Sequence, residues 1–382
     1  MRLPPSSLDG RRPTWAEIDL SRLAHNFRVT KEEVGPGVSV MPAIKADAYG
    51  HGAVECARAL ERAGADWFGV ALPEEGARLR DAGIQSPILC LGGFWKGQEG
   101  LAVSRELTPV IFCEDSLERL DAAARAARKV VDYHLKVDTG MGRLGVPAGG
   151  LEGFLNRASG LENARLDGIM THFAAADDPL KSEFTSGQMR LFERALELVR
   201  GRGHNPTWIH QANSAAAHAR SQARGNLIRP GGIIYGIWRD STDRTVPPLD
   251  WLPVLSLHTQ VVLLKTVPEG APLGYGCTFV TERESRIATL PIGYNDGLRR
   301  GLSNRGRVLV RGEFAPVVGR VSMDLAMIDV TGVEGVEPGD EVVIIGRQGG
   351  REITAEEIAA SLGTISYEIT CGISSRVPRF YV

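Results

Sequence analysis

The sequence predicts an α/β protein, an N-terminal (β/α)8 TIM-type barrel over residues 14–243 followed by a C-terminal mostly-β domain over 244–382. Three observations predict it. Eight apolar runs, each followed by helical periodicity, occupy the first part. After Leu252 the rhythm changes to dense β-branched runs broken by Gly, Pro and Asp turns. The unusual polar residues of the first part fall at the ends of its apolar runs, where such barrels carry their chemistry.

In order, residues 1–13 (MRLPPSSLDGRRP) lack apolar periodicity and read as a flexible leader. Thr14 to Asn26 alternates and then turns helical at Ser21. The strand candidates are VSVMPAIK, DWFGVAL, PILCLGG, TPVIF, VDYHLKVD, ARLDGIMTHF, PTWIHQAN and GNLIRPGG. Between them, Pro73 opens a helix with acidic residues in its first turn and Gly83 closes it; Asp115 or Ser116 caps the next, ending near Arg128; another spans 186–200. Arg239 to Pro253 reads as a linker. The β-rich part holds SLHTQVVLLKTV, SRIATLPIGY, GRVLVRG, APVVGRV, LAMIDV and DEVVIIG, then one short helix at 354–362 before the final YEITCGISSRVPRFYV.

Composition narrows the function classes. The chain is 43% hydrophobic and 24% charged with a net charge of −2, which favours neither a nucleic-acid groove nor a polybasic membrane patch. It has no apolar core of a secretion signal and no run of about 18 apolar residues. The five cysteines are scattered without zinc-type or CxxC spacing, as expected of reduced thiols in the cytoplasm. No metal site is predicted.

The most informative stretch is Val38 to Gly52, where an apolar run ends in Lys45. A lysine leaving a buried strand is either a solvated strand terminus or an amine whose charge is destabilised, usable as a base or a carbonyl-binding nucleophile. If the chain turns helical after Lys45, Tyr49 lies on the same face. Other strand ends carry Arg143 in DTGMGRLG, His172, Asn213 with Ser214, and Arg229 with Gly231 and Gly232; the last two loops offer hydroxyl and N–H groups for a phosphate.

MPAIKADAYGHGA, from Met41 to Ala53, resembles the signature around the cofactor lysine of alanine racemases, and the resemblance extends from RPTWAEIDL at Arg12 to the last strand. It implies that Lys45 carries pyridoxal 5'-phosphate and serves as one base. It assigns Tyr49, Tyr367, Ser214, Gly231 and Gly232 to the cofactor's phosphate, and Asn213 to the cofactor site. Arg229 matches an arginine facing the pyridine nitrogen; a guanidinium holds its protons, so the ring is a weaker electron sink and decarboxylation and transamination are disfavoured. His172 is placed between Arg229 and the second base, Tyr275 of PLGYGCTF. Tyrosine has an ordinary pKa of about 10, so this role needs an electropositive neighbour.

Racemisation calls for two bases because the proton must leave one face and return to the other. In the family the tyrosine comes from the second subunit of a homodimer, so shared sites for alanine are implied. Arg143 matches a residue contacting the cofactor's phenolic oxygen and substrate, Met323 of VSMD one meeting the substrate carboxylate, Tyr294 of PIGYNDG one at the entrance, and Lys136 one often carbamylated. Asn295 stands where the family usually has alanine, and RPGGIIYG has two glycines where one is common. The implied role is D-alanine supply for peptidoglycan. A broad amino-acid racemase, a PLP-barrel decarboxylase and a non-catalytic PLP-binding barrel are the alternatives; Arg229 argues against the decarboxylase and the C-terminal domain against the last.

Overall fold

Residues 10–382 are described by the computed structural model. Residues 1–9 of the expected leader lie outside the described residues. Leu23–Ala48 with Ala53–Leu252 form one compact unit; the described residues 10–22, Tyr49–Gly52 and Pro253–Val382 form the other.

The first unit contains all eight expected strands: β1 (Ser39–Val40), β2 (Phe68–Val70), β3 (Ile88–Cys90), β4 (Thr108–Ile111), β5 (Val131–Asp138), β6 (Ala164–Met170), β7 (Trp208–His210) and β8 (Leu227–Ile228). β2 to β7 form one curled parallel sheet in chain order, and β1 pairs in parallel with β8. Backbone bonds close the ring: Gly69 N–H donates to Pro42 O at 3.0 Å, Ile44 N–H to Gly69 O at 2.8 Å, and Arg229 N–H to Ala212 O at 3.0 Å. Met41, Trp67, Leu89, Val110, Met170 and Leu227 form one buried cluster. Tyr133, Leu135 and Val137 of β5 join a second with Leu117, Phe154 and Phe192 of the outer helices. The period-two alternation of β5 therefore leaves His134, Lys136 and Asp138 together on its other face.

Helix ends follow local chemistry. Pro73–Asp81 starts with Pro at its first position, has Glu74 and Glu75 in its first turn, and is followed by Gly83 at φ +88°. The helix Glu114–Ala126 begins earlier than expected: extended Cys113 occupies its N-cap, and Ser116 Oγ donates back to Cys113 O at 2.8 Å. The expected 186–200 helix runs Ser182–Gly201. Within the expected linker Ser241, Thr242, Asp243 and Trp251 are buried, while residues 244–250 are exposed or half-buried.

In the second unit, the main sheet has the order Glu313–Pro316, Arg307–Val310, Glu341–Gln348, Leu255–Gln260, Thr14–Ile18, Arg379–Tyr381. The strand Thr14–Ile18, expected to open the barrel segment, instead lies antiparallel to Leu255–Gln260, with Trp15 opposite His258. All five of its residues are buried, and both its edges are paired, one with Leu255–Gln260 and the other with Arg379–Tyr381. Arg12 and Pro13, expected in the leader, are also held: Arg12 pairs with Asp296 and Pro13 O accepts from Thr259 Oγ1 at 3.0 Å. A second helix, Ser366–Cys371, stands where only one was expected in this part, and its buried residues Ser366, Ile369 and Thr370 recur at helical rather than strand spacing. The helix Ala355–Leu362 carries Thr354 as N-cap, accepting from Glu357 N–H at 3.1 Å. Among the described residues no helix is long and apolar enough to cross a membrane.

Candidate active site

Lys45 leaves the β1 segment in an unusual way. The turn Lys45–Tyr49 is helical but left-handed: Ala46 and Asp47 have φ +52°, Ala48 and Tyr49 φ +55°. Left-handed helical backbone costs L-residues roughly 1–2 kcal/mol each, so four in succession persist only under strong local constraint. The right-handed spacing argument for Lys45 and Tyr49 does not apply to this turn. Ala48 N–H donates to Ile44 O at 3.0 Å, and Asp47 Oδ1 accepts from Ala53 N–H at 3.0 Å. Glu75 Oε1 accepts from Ala46 N–H at 2.7 Å.

At the same end of the barrel, Lys136 is buried and its amine is lowered to about 8, by burial first and then by the positive charges of Arg229 and Arg143, with Lys45 adding to them. His172 is held well below the ordinary imidazole range by burial, then Arg229, Lys136, Arg143 and Lys45. These four cations thus converge on one site. The carboxylate of Asp138 is committed elsewhere: although burial opposes it, the N–H groups of Gly140 and Gly142, at 2.9 and 3.1 Å, hold it below the usual range and pin the loop carrying Arg143. Gly145, at φ +136°, crosses so close that a Cβ would stand 2.5 Å from Asp138 N.

Arg229 is 5% exposed, and burial lowers it to about 9, leaving it cationic at neutral pH. Its guanidinium donates to Thr171 O at 2.7 Å, Gln211 O at 2.9 Å and His210 Nδ1 at 2.9 Å, and touches His172 Nδ1 at 3.5 Å. His210 Nε2 in turn lies 2.9 Å from His134 Nδ1. Sequence reasoning did not single out His134, His210 or Thr171, although the alternation of VDYHLKVD was a usable signal for His134. Beside them, Thr171 Oγ1 donates to Val137 O at 2.9 Å and shares a 2.7 Å contact with Thr139.

The phosphate-type loops are built as a pair. Asn213 caps the helix Ser214–Ala219 by accepting from Ala216 N–H, and Ser214 Oγ accepts from Gly231 N–H at 2.9 Å, beside Gly232. In the other unit, Tyr49 and Tyr367 come together with ring centroids 5.3 Å apart. Tyr294 N–H donates to Ser322 O at 2.9 Å and Asn295 N–H to Met323 O at 3.1 Å, bringing Tyr294 and Met323 side by side. Tyr275 sits in a turn between Gly274 and Gly276, both with positive φ, and is 73% exposed, as Met323 is 52%.

Residues 18–238 match the family described as the alanine racemase N-terminal domain, and residues 254–381 the alanine racemase C-terminal domain. An alanine racemase of Halothermothrix orenii is 47% identical over 373 residues, 97% of each chain. The crystal structure of alanine racemase from Bacillus anthracis with bound L-Ala-P is 36% identical, with a TM-score of 0.90 over 97% of this chain and 95% of that one. That of Bartonella henselae, with covalently bound pyridoxal phosphate, is 29% identical with a TM-score of 0.86 over 97% and 99%.

Proposed function

The chain belongs to the alanine racemase family, and from that premise we propose that it interconverts L-alanine and D-alanine by removing the α-proton on one face and returning it on the other. The observation that carries the reading is the convergence of Lys45, Arg143 and buried Arg229 on His172 at one barrel end, while Asp138 is committed to its own loop. Such a donor set fits an anionic cofactor with a basic ring nitrogen.

We assign that cofactor as pyridoxal 5'-phosphate, in keeping with the covalently held group of the Bartonella henselae structure. When bound, it supplies the electron-withdrawing ring that makes an amino acid's α-proton acidic. Lys45 would hold it through its amine, Arg229 would face its ring nitrogen and Arg143 its phenolic oxygen. Ser214, Gly231, Gly232 and Asn213 offer a phosphate site, and the Tyr49–Tyr367 pair carries the same role in the family pattern. Arg229 does not give up a proton readily, so it leaves the ring nitrogen unprotonated and favours proton return over side reactions.

Lys45 is assigned as the base for the D-enantiomer and Tyr275 as the base for the L-enantiomer. Tyr275 and Met323 are both large side chains left exposed on this chain, and that exposure supports a homodimer in which each chain lends these residues to the other. Arg143 and Met323 N–H would orient the substrate carboxylate, and Tyr294 would stand at the entrance. The lowered amine of Lys136 suits carbamylation, since the neutral amine is the form that reacts with carbon dioxide. A cytoplasmic enzyme supplying D-alanine for peptidoglycan is the role we assign. A broader amino-acid racemase is the second reading, differing in pocket size rather than in mechanism.

The test is incubation of the purified, cofactor-loaded protein with L-alanine in heavy water, followed by chiral separation and mass detection. D-alanine carrying deuterium at the α-carbon is expected. Deuterated L-alanine alone would remove Tyr275 from its role, and no exchange would overturn the reading.

A further inference from the structure

We propose that Glu75 is a positioning residue for Lys45, its two carboxylate oxygens dividing between a helix cap and a clamp on the left-handed turn. Oε2 accepts from Ala71 N–H at 2.7 Å and Leu72 N–H at 3.3 Å, the usual work of a glutamate at the third position of a helix. Oε1 has another task. It accepts at 2.7 Å from Ala46 N–H, the residue directly after Lys45 and 29 positions away in the chain.

The consequence is a direct mechanical link. Ala46 is the first of four residues in left-handed backbone, a conformation that an alanine leaves readily unless something opposes it. A relaxed Ala46 would re-aim the Cα–Cβ bond of Lys45. The charged hydrogen bond from Glu75 opposes that relaxation at the one N–H next to the lysine, and the helix Pro73–Asp81 makes the clamp rigid. Asp47 steadies the turn on its far side through Ala53 N–H, with Arg78 at 3.7 Å. Ala46 is exposed, so without this bond its amide would be open to water.

Glu75→Gln separates the two tasks. A glutamine caps a helix as well as a glutamate does, with its oxygen toward Ala71 and Leu72, but its NH2 then faces Ala46 N–H, donor against donor. Three readouts follow: amide exchange at Ala46, the affinity of the apo-protein for pyridoxal 5'-phosphate read from the absorbance of the lysine-bound form, and the split of activity between kcat and KM. We expect Glu75→Gln to fold, to exchange Ala46 faster, and to lose about ten- to a hundredfold in cofactor affinity, the weight of one charged hydrogen bond. Turnover should fall in kcat with KM little changed. Adding Ala46→Gly should restore most of the loss, because glycine adopts φ +52° without a clamp.

Unchanged Ala46 exchange or unchanged affinity in Glu75→Gln would reduce Glu75 to an ordinary cap. So would a defect, including failure to fold, that Ala46→Gly does not rescue. The inference rests on Lys45 being the cofactor lysine: wild-type protein that takes up no cofactor overturns that assignment, and the positioning role with it, whereas Ala46 exchange in the variant still reports whether the clamp exists.

Discussion

The Arg229 guanidinium donates to Nδ1 of His210 at 2.9 Å, and this contact assigns the protons of two buried imidazoles. With Nδ1 accepting, His210 carries its proton on Nε2 and donates it to His134 Nδ1 at 2.9 Å. His134 is then protonated on Nε2, a buried atom with no hydrogen-bond partner among the described residues, beside the Trp67 ring at a centroid distance of 5.3 Å. The chain of donors runs from Arg229 inward, so protonating either histidine breaks it.

Acid sensitivity follows. Burial, then Arg229, lowers His134 to about 3, and the same causes hold His210 well below its ordinary 6.5. Between those values the unfolded chain binds protons that the folded chain refuses. Stability from this source is therefore intact above about pH 6.5 and falls as pH falls, by up to ~1.4 kcal/mol per pH unit per histidine. Urea unfolding at pH 7 and pH 5 should register the loss, and His134→Asn should flatten part of the slope. An equally steep slope in that variant would put the acid sensitivity elsewhere.

Gly168 lies opposite His134 in the β5–β6 register, and a Cβ there would stand 2.5 Å from the His134 ring. Gly168→Ala should push the ring aside, break its bond to His210 and cost about 1–3 kcal/mol by overpacking. Denaturant unfolding measures the cost, and the imidazole nitrogen signals report the lost bond. A variant of wild-type stability with unchanged signals would mean that the strand shifts to make room.

Arg12 reaches both oxygens of Asp296 at 2.7 Å, and Asp296 is fully buried. Arg12→Ala should destabilise the protein by about 2 kcal/mol, less than the ~3–5 kcal/mol of an isolated buried pair, because Arg376 remains 3.5 Å from the same carboxylate. Asp296→Asn in the Arg12→Ala background should recover part of the loss by removing the uncompensated charge. Equal stability of all three proteins in urea would show that the pairing contributes nothing.

Lys45→Ala and Tyr275→Phe should each lower racemisation by roughly 10²–10⁴-fold, the usual weight of a positioned base. Mixed after verified subunit exchange, half of the dimers would be hybrids with one intact site of two, so about a quarter of wild-type turnover should return. No recovery would mean that both bases come from one chain.

The eight barrel strands and the β-branched runs after Leu252 were legible in the chain, because burial periodicity is a local property. The place of Lys45 at the end of an apolar run was legible too, since a polar side chain ending such a run stands out wherever the chain goes. The membership of Thr14–Ile18 was not legible: whether a buried strand joins a barrel or a sheet 240 residues later depends on partners, not on its own pattern. Tertiary structure alone decided three further things. It turned Lys45–Tyr49 left-handed, which no alanine-rich stretch predicts, by supplying Glu75 from another helix. It lined up His134 and His210 edge to face behind Arg229, because parallel strands bring together residues 76 positions apart. And it lowered Lys136 through burial among cations, an effect that exists only when Arg143 and Arg229 are folded around it.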